Sequence, residues 1–150
     1  MSQPRPRSEH FLGELQSLVQ AGFPIIHVST HEEDRCLEVV RQIAERLAWE
    51  GTVWSTSRGC YSLDPRAEPQ SLGQSLADLT AAIESFDRQA SGETSDGSGF
   101  IFVLLDPSPY LVGPGINPIY RRRLRDFAIA IRTKEYHASC IIISRARAER

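Results

Sequence analysis

Apolar positions along the chain change period repeatedly, and each change marks an element. Phe11, Leu12, Leu15, Leu18 and Val19 fall at helical spacing and predict a helix over Ser8–Gln20, with Ser8 as N-cap and Gly22 ending it. Pro24–Ser29, P-I-I-H-V-S, is short, apolar and β-branched, and predicts a first strand. Thr30 and Glu33 have the spacing of a capping box, opening a helix that runs to about Trp49 on Leu37, Val40, Ile43, Ala44 and Leu47. Gly51 breaks it, and Thr52–Thr56 predicts a second strand, so the order is that of a parallel β-α-β unit. Arg58–Gln70, with Gly59, Pro65 and Pro69, predicts a loop. Leu72, Leu76, Leu79, Ile83 and Phe86 predict a helix over Ser71–Gln89.

The most informative stretch is Phe100–Pro109, F-I-F-V-L-L-D-P-S-P. Its apolar run does not alternate, as expected of a parallel strand covered by helices on both faces. Ala90–Gly99 before it reads as a flexible linker, and Pro107–Pro118 after it is rich in Pro and Gly. Ile119–Arg132 then predicts a helix on Leu124, Phe127, Ala128 and Ile131, and Cys140–Ser144 a fourth strand. The expectation is a single three-layer α/β domain over residues 8–144, with a mostly parallel sheet of about four strands flanked by helices. Residues 1–7 are expected to be disordered and Arg145–Arg150 to form a tail.

Composition narrows the function. The 150 residues carry a net charge of −2, with no global attraction to nucleic acid, and no apolar run is long enough to span a bilayer. Three cysteines, Cys36, Cys60 and Cys140, show no C-x-x-C spacing, which fits buried thiols in a reducing, cytoplasm-like compartment. His27 and His31 lie on a strand-to-turn segment and His10 and His137 are remote, so no metal site is expected. No G-x-S-x-G elbow is present either.

Asp106 ends its strand where open α/β sheets place ligands and where nucleotide hydrolases keep the acid that supports Mg²⁺. A phosphate-binding loop needs glycines, a lysine and a hydroxyl residue. The first strand-to-helix turn instead reads V-S-T-H-E-E-D-R, and Lys134 is the only lysine in the chain. Glu32, Glu33 and Asp34 would repel a polyphosphate there. No catalytic residue and no cofactor are therefore expected. Glu32, Glu33 and Asp106 are candidates for an acidic edge, with weak Mg²⁺ binding by Asp106 and Glu33 in a receiver-like or phosphate-handling protein as the alternative. The plainer expectation is that the glutamates complement a helix dipole and Asp106 starts an Asp-Pro turn. Arg121, Arg122, Arg123 and Arg125 form a basic helix face that could meet a protein partner; without aromatic interleaving it is not expected to bind nucleic acid.

Four segments together resemble a known family: Phe23–Arg35 (F-P-I-I-H-V-S-T-H-E-E-D-R), Val53–Gly59 (V-W-S-T-S-R-G), Phe100–Asp106 (F-I-F-V-L-L-D) and Arg122–Asp126 (R-R-L-R-D). They are similar to the N-terminal region of the divergent AAA+ ATPase encoded as a conserved hypothetical reading frame in cyanobacteria and algal plastids. The resemblance spans most of Gly22–Ser144. It implies a degenerate P-loop-type α/β domain without a Walker A of its own, preceding a complete AAA+ module. It further implies a regulatory role in photosynthesis or inorganic-carbon use, in the cytoplasm or plastid stroma. Asp106 matches the Walker B position, but no second acid follows it to polarise water. P-loop sheets commonly run 5-1-4-3-2, so four strands would leave the first, Pro24–Ser29, at an open apolar edge, available to a protein partner or a second copy.

Overall fold

The computed structural model describes residues 6–66, 78–92 and 99–145. It contains α1 (Pro6–Gln20), β1 (Ile25–Thr30), α2 (Glu33–Leu47), β2 (Glu50–Ser55), β3 (Gly59–Ser62), α3 (Leu79–Ser91), β4 (Phe100–Leu105), α4 (Ser108–Leu111), α5 (Ile119–Thr133) and β5 (Ala138–Arg145). One five-stranded sheet runs β1-β5-β4-β2-β3. The β1·β5, β5·β4 and β4·β2 pairs are parallel, and β3 pairs antiparallel with β2. The expected α/β class and the parallel order with β1 at one edge are both present.

Two apolar clusters sandwich the sheet, which makes the domain three-layered. On one face Ile101, Val103, Ile141 and Ile143 meet Leu15 and Val19 of α1 and Val40 and Ile43 of α2. On the other, Trp54, Phe102, Leu104 and Cys140 meet Phe86 of α3 and Phe127 and Ile131 of α5. Successive β4 residues thus feed opposite clusters, and this is why the run Phe100–Leu105 does not alternate.

Several local expectations are corrected. Arg58–Gln70 is not all loop, because Gly59–Ser62 is the strand β3, folded back on β2 with Trp54 opposite Cys60. Gly59 takes a left-handed φ of 69° at the hairpin, and the Arg58 guanidinium stacks 3.8 Å over the Tyr61 ring. Gly51 lies within β2 and does not break a helix; α2 ends at Leu47 because Ala48 turns left-handed (φ 55°) and its N–H bonds back to Ala44 and Glu45. Trp49 then starts the approach to the strand, which begins at Glu50. Ser8 sits inside α1 and is not its cap, since the helix starts at Pro6. Pro6 and Arg7 of the expected disordered terminus are helical, whereas residues 1–5 lie outside the described residues.

Further along, α3 begins at Leu79 and extends through Ala90 and Ser91, the first residues of the expected linker; residues 67–77, which hold the end of the expected loop and the start of the expected helix, and residues 93–98 lie outside the described residues. The Pro/Gly-rich stretch after Asp106 holds the short helix α4. β5 is longer at both ends than Cys140–Ser144 and includes Arg145, the first residue of the expected tail; residues 146–150 are outside the described residues. No helix among the described residues is long and apolar enough to cross a membrane.

Candidate functional site: the acidic carboxyl edge of the sheet

β1, β5 and β4 end side by side, and the residues just beyond their carboxyl ends form a shallow cleft of about 640 Å³. Thr30, His31, Glu32, Glu33, Asp34, Arg35, Asp106 and Arg145 line it. The sequence-predicted trio Glu32, Glu33 and Asp106 therefore does meet at one edge. β1 and β4 are not neighbours, however, because β5 lies between them and places Arg145 in register with Thr30. Arg145 is the site residue that the sequence reading missed. Its signal was the length of the apolar segment A-S-C-I-I-I-S-R, which carries the strand out to the charged residue.

The turn from β1 into α2 is not a capping box. The Thr30 hydroxyl accepts the Glu32 N–H at 3.0 Å, a local serine/threonine-type turn, and no side chain caps α2. Arg35 bonds back to Glu32 at 3.2 Å. Glu33 and Asp34 occupy the first turn of α2, where the helix dipole favours their charge. Asp106 donates its N–H to the Ile143 carbonyl at 2.7 Å and takes a left-handed φ of 46°, a conformation that Asp tolerates better than most residues. The anion-attracting end of α2 is thus already faced by the chain's own carboxylates.

Electrostatics at the edge follow from this crowding. Partial burial raises the proton affinity of Glu33 above the ordinary value of 4.5, the charges of Asp34 and Asp106 add to the rise, and Arg145 opposes it. The folded state therefore binds the Glu33 proton more tightly than the unfolded state does. Stability from this residue is greatest below pH 4.5 and falls as pH rises through the raised midpoint, with no further change above it. In an NMR titration the Glu33 carboxyl should titrate above 4.5, and Asp106→Asn should move its midpoint down. An unmoved midpoint would show that the two carboxyls do not sense each other. Among the described residues no group of three or more His, Cys, Asp or Glu side chains is arranged to hold a metal ion.

The other candidates are dispersed or inert. Arg121 donates to the Leu111 carbonyl, Arg122 pairs with Asp126 at 3.4 Å and Arg123 with Glu84 at 3.3 Å. Three of the four arginines thus have intramolecular partners, exposed enough to be exchanged, whereas Arg125 has no ion pair among the described residues. Burial pushes Cys36 and Cys60 up to about 11 and Cys140 to about 12, which keeps all three as thiols at neutral pH. His27 bonds Ser144 across the β1·β5 pair at 3.0 Å.

Searches of curated proteins and of solved structures gave no match to the chain. Residues 11–148 match the family described as "SpoVK-like AAA ATPase, N-terminal domain", and the chain belongs to that family.

Proposed function

We propose that this is a non-catalytic regulatory and protein-interaction domain of an AAA+ protein, a degenerate P-loop-type unit that handles no nucleotide itself. The observation that carries this reading is the composition of the β1–α2 turn, where a phosphate cradle would lie. Thr30-His31-Glu32-Glu33-Asp34 brings carboxylates and no glycine to that place, and Asp106 adds another charge to the same cleft. A partner would engage the open β1 edge, Pro24–Ser29, or the Arg121, Arg122, Arg123 and Arg125 face of α5. A link to photosynthesis or carbon use, and a cytoplasmic or stromal location, rest on the sequence resemblance alone.

Calorimetric titration of the chain with Mg·ATP and Mg·ADP tests the reading. No saturable heat should appear up to millimolar nucleotide, while a family AAA+ module added in trans should bind. Stoichiometric nucleotide binding would overturn it. Crowding of like charge around Glu33 favours one competing reading, Mg²⁺-dependent phosphate handling at Glu32, Glu33 and Asp106. That alternative requires a saturable change in Trp54 fluorescence with Mg²⁺ that disappears in Asp106→Asn.

A further inference from the structure

We infer that the open edge of β1 pairs with the β1 of a second copy, antiparallel about a two-fold axis through His27, joining the two sheets into one. This rests on the reading of the β1 edge as the partner surface, and it names the partner.

The backbone dictates which groups are open. Cys140 donates its N–H to the Pro24 carbonyl at 2.8 Å, so Pro24 points toward β5. Strand backbones alternate, so Ile26, Val28 and Thr30 also point toward β5, and Ile25, His27 and Ser29 point their N–H and C=O groups away. β1 ends the sheet, and among the described residues no other strand pairs with it. Unlike a well-protected edge, the strand carries no lysine, no bulge and no internal proline.

The sequence of this edge is self-complementary. In an antiparallel two-fold pairing centred on His27, residue 27 faces itself, Ile25 faces Ser29 of the other copy, and Ile26 faces Val28. All three outward-pointing residues then exchange both of their backbone hydrogen bonds. The Ile26 and Val28 pairs fall on the face where Phe11, Leu12, Cys36 and Val39 line the apolar floor of a groove beside Val28 that charged residues such as Arg35 and Glu38 also border. Charge favours the same orientation. The carboxyl end of the sheet holds Glu32, Glu33, Asp34 and Asp106 against Arg35 and Arg145. Near Gly22, at the other end of β1, lies the end of α5, where Arg132 and Lys134 outnumber Glu135. A two-fold axis sets the acidic end of each copy beside the basic end of the other.

The test is light scattering on the whole chain over a concentration series reaching the high micromolar range, since a six-residue strand makes a small interface. Amide exchange is followed on the same samples. A dimer is expected, with protection of the Ile25, His27 and Ser29 amides that rises with concentration. His27→Asp and His27→Lys each place like charges opposite themselves and should weaken the dimer by about fivefold or more, whereas their equimolar mixture should restore it. Circular dichroism checks that both variants fold; should either not fold, mass and exchange on the native chain still decide. A dimer indifferent to both variants, or a mixture that stays apart, overturns the pairing. A monomer whose three amides exchange rapidly overturns self-pairing but leaves the edge open to a different protein partner. A monomer with those three amides protected at every concentration shows the edge already covered within the chain and overturns both.

Discussion

Phe102→Ala should lower the unfolding free energy by about 3–5 kcal/mol, the range for truncating a fully buried aromatic residue. Phe102 has no solvent exposure and lies on β4, between β5 and β2. Its ring stacks on Phe86 with centroids 4.5 Å apart and meets Phe127 at 5.8 Å. Truncation therefore empties the space where α3, α5 and the sheet converge, and it also removes aromatic pairs worth about 0.5–1.5 kcal/mol each. Domains of this kind are commonly stable by about 5–15 kcal/mol, so the loss is a large fraction of the total. Urea unfolding should show a lower midpoint with an unchanged slope. A loss under about 1 kcal/mol would mean that Phe86 and Phe127 collapse into the vacated space.

The same residue shows what the sequence made legible. F-I-F-V-L-L announces a strand covered on both faces because neither parity of its side chains is polar. α2 was equally plain, since Leu37, Val40, Ile43 and Ala44 all reach the core that their spacing demands. β3 was hidden for a physical reason. Gly59-Cys60-Tyr61-Ser62 is too short to show a period, and it is a strand only because β2 offers it a partner. The end of α2 was obscured in the same way, because Gly51 looks like a breaker while its actual purpose is room. Leu63, only 2% exposed, packs where a Cβ at Gly51 would come within 2.4 Å of it.

At the candidate site the acidic residues were readable one by one, because each follows a strand end. Their mutual geometry depended on strand order, which no local pattern encodes. Placing β5 between β1 and β4 separates the two carboxyl-bearing turns and brings Arg145 into register with Thr30. A cleft of carboxylates alone thereby becomes one with a cation in it. This weakens the case for a divalent-ion site, since Arg145 already offsets part of the charge that such an ion would neutralise.

Gly99→Ala should cost about 1–3 kcal/mol through overpacking, more than Gly22→Ala. An added Cβ would lie 2.6 Å from the His137 carbonyl oxygen and 2.7 Å from the Trp49 ring. That carbonyl cannot easily retreat, because it accepts the Phe100 N–H at 2.8 Å, and the Gly99 carbonyl accepts the Glu50 N–H at 3.1 Å. The small residue thus lets three strands, β2, β4 and β5, begin together. Gly51→Ala meets the buried Leu63 at Cδ2 (2.4 Å) and at Cβ (2.7 Å), and rotation can move only the first, so it should cost a similar amount. Gly22→Ala meets nothing within 4 Å but must adopt a φ of 82°, and should be milder, held to about 1–2 kcal/mol of backbone strain. Thermal unfolding orders the three, and near-ultraviolet dichroism should report a changed Trp49 environment in Gly99→Ala alone. The Glu33 midpoint serves as the internal control. It belongs to the opposite end of the sheet, a six-residue strand or about 20 Å away, so it should not move if the damage is confined to where the strands start.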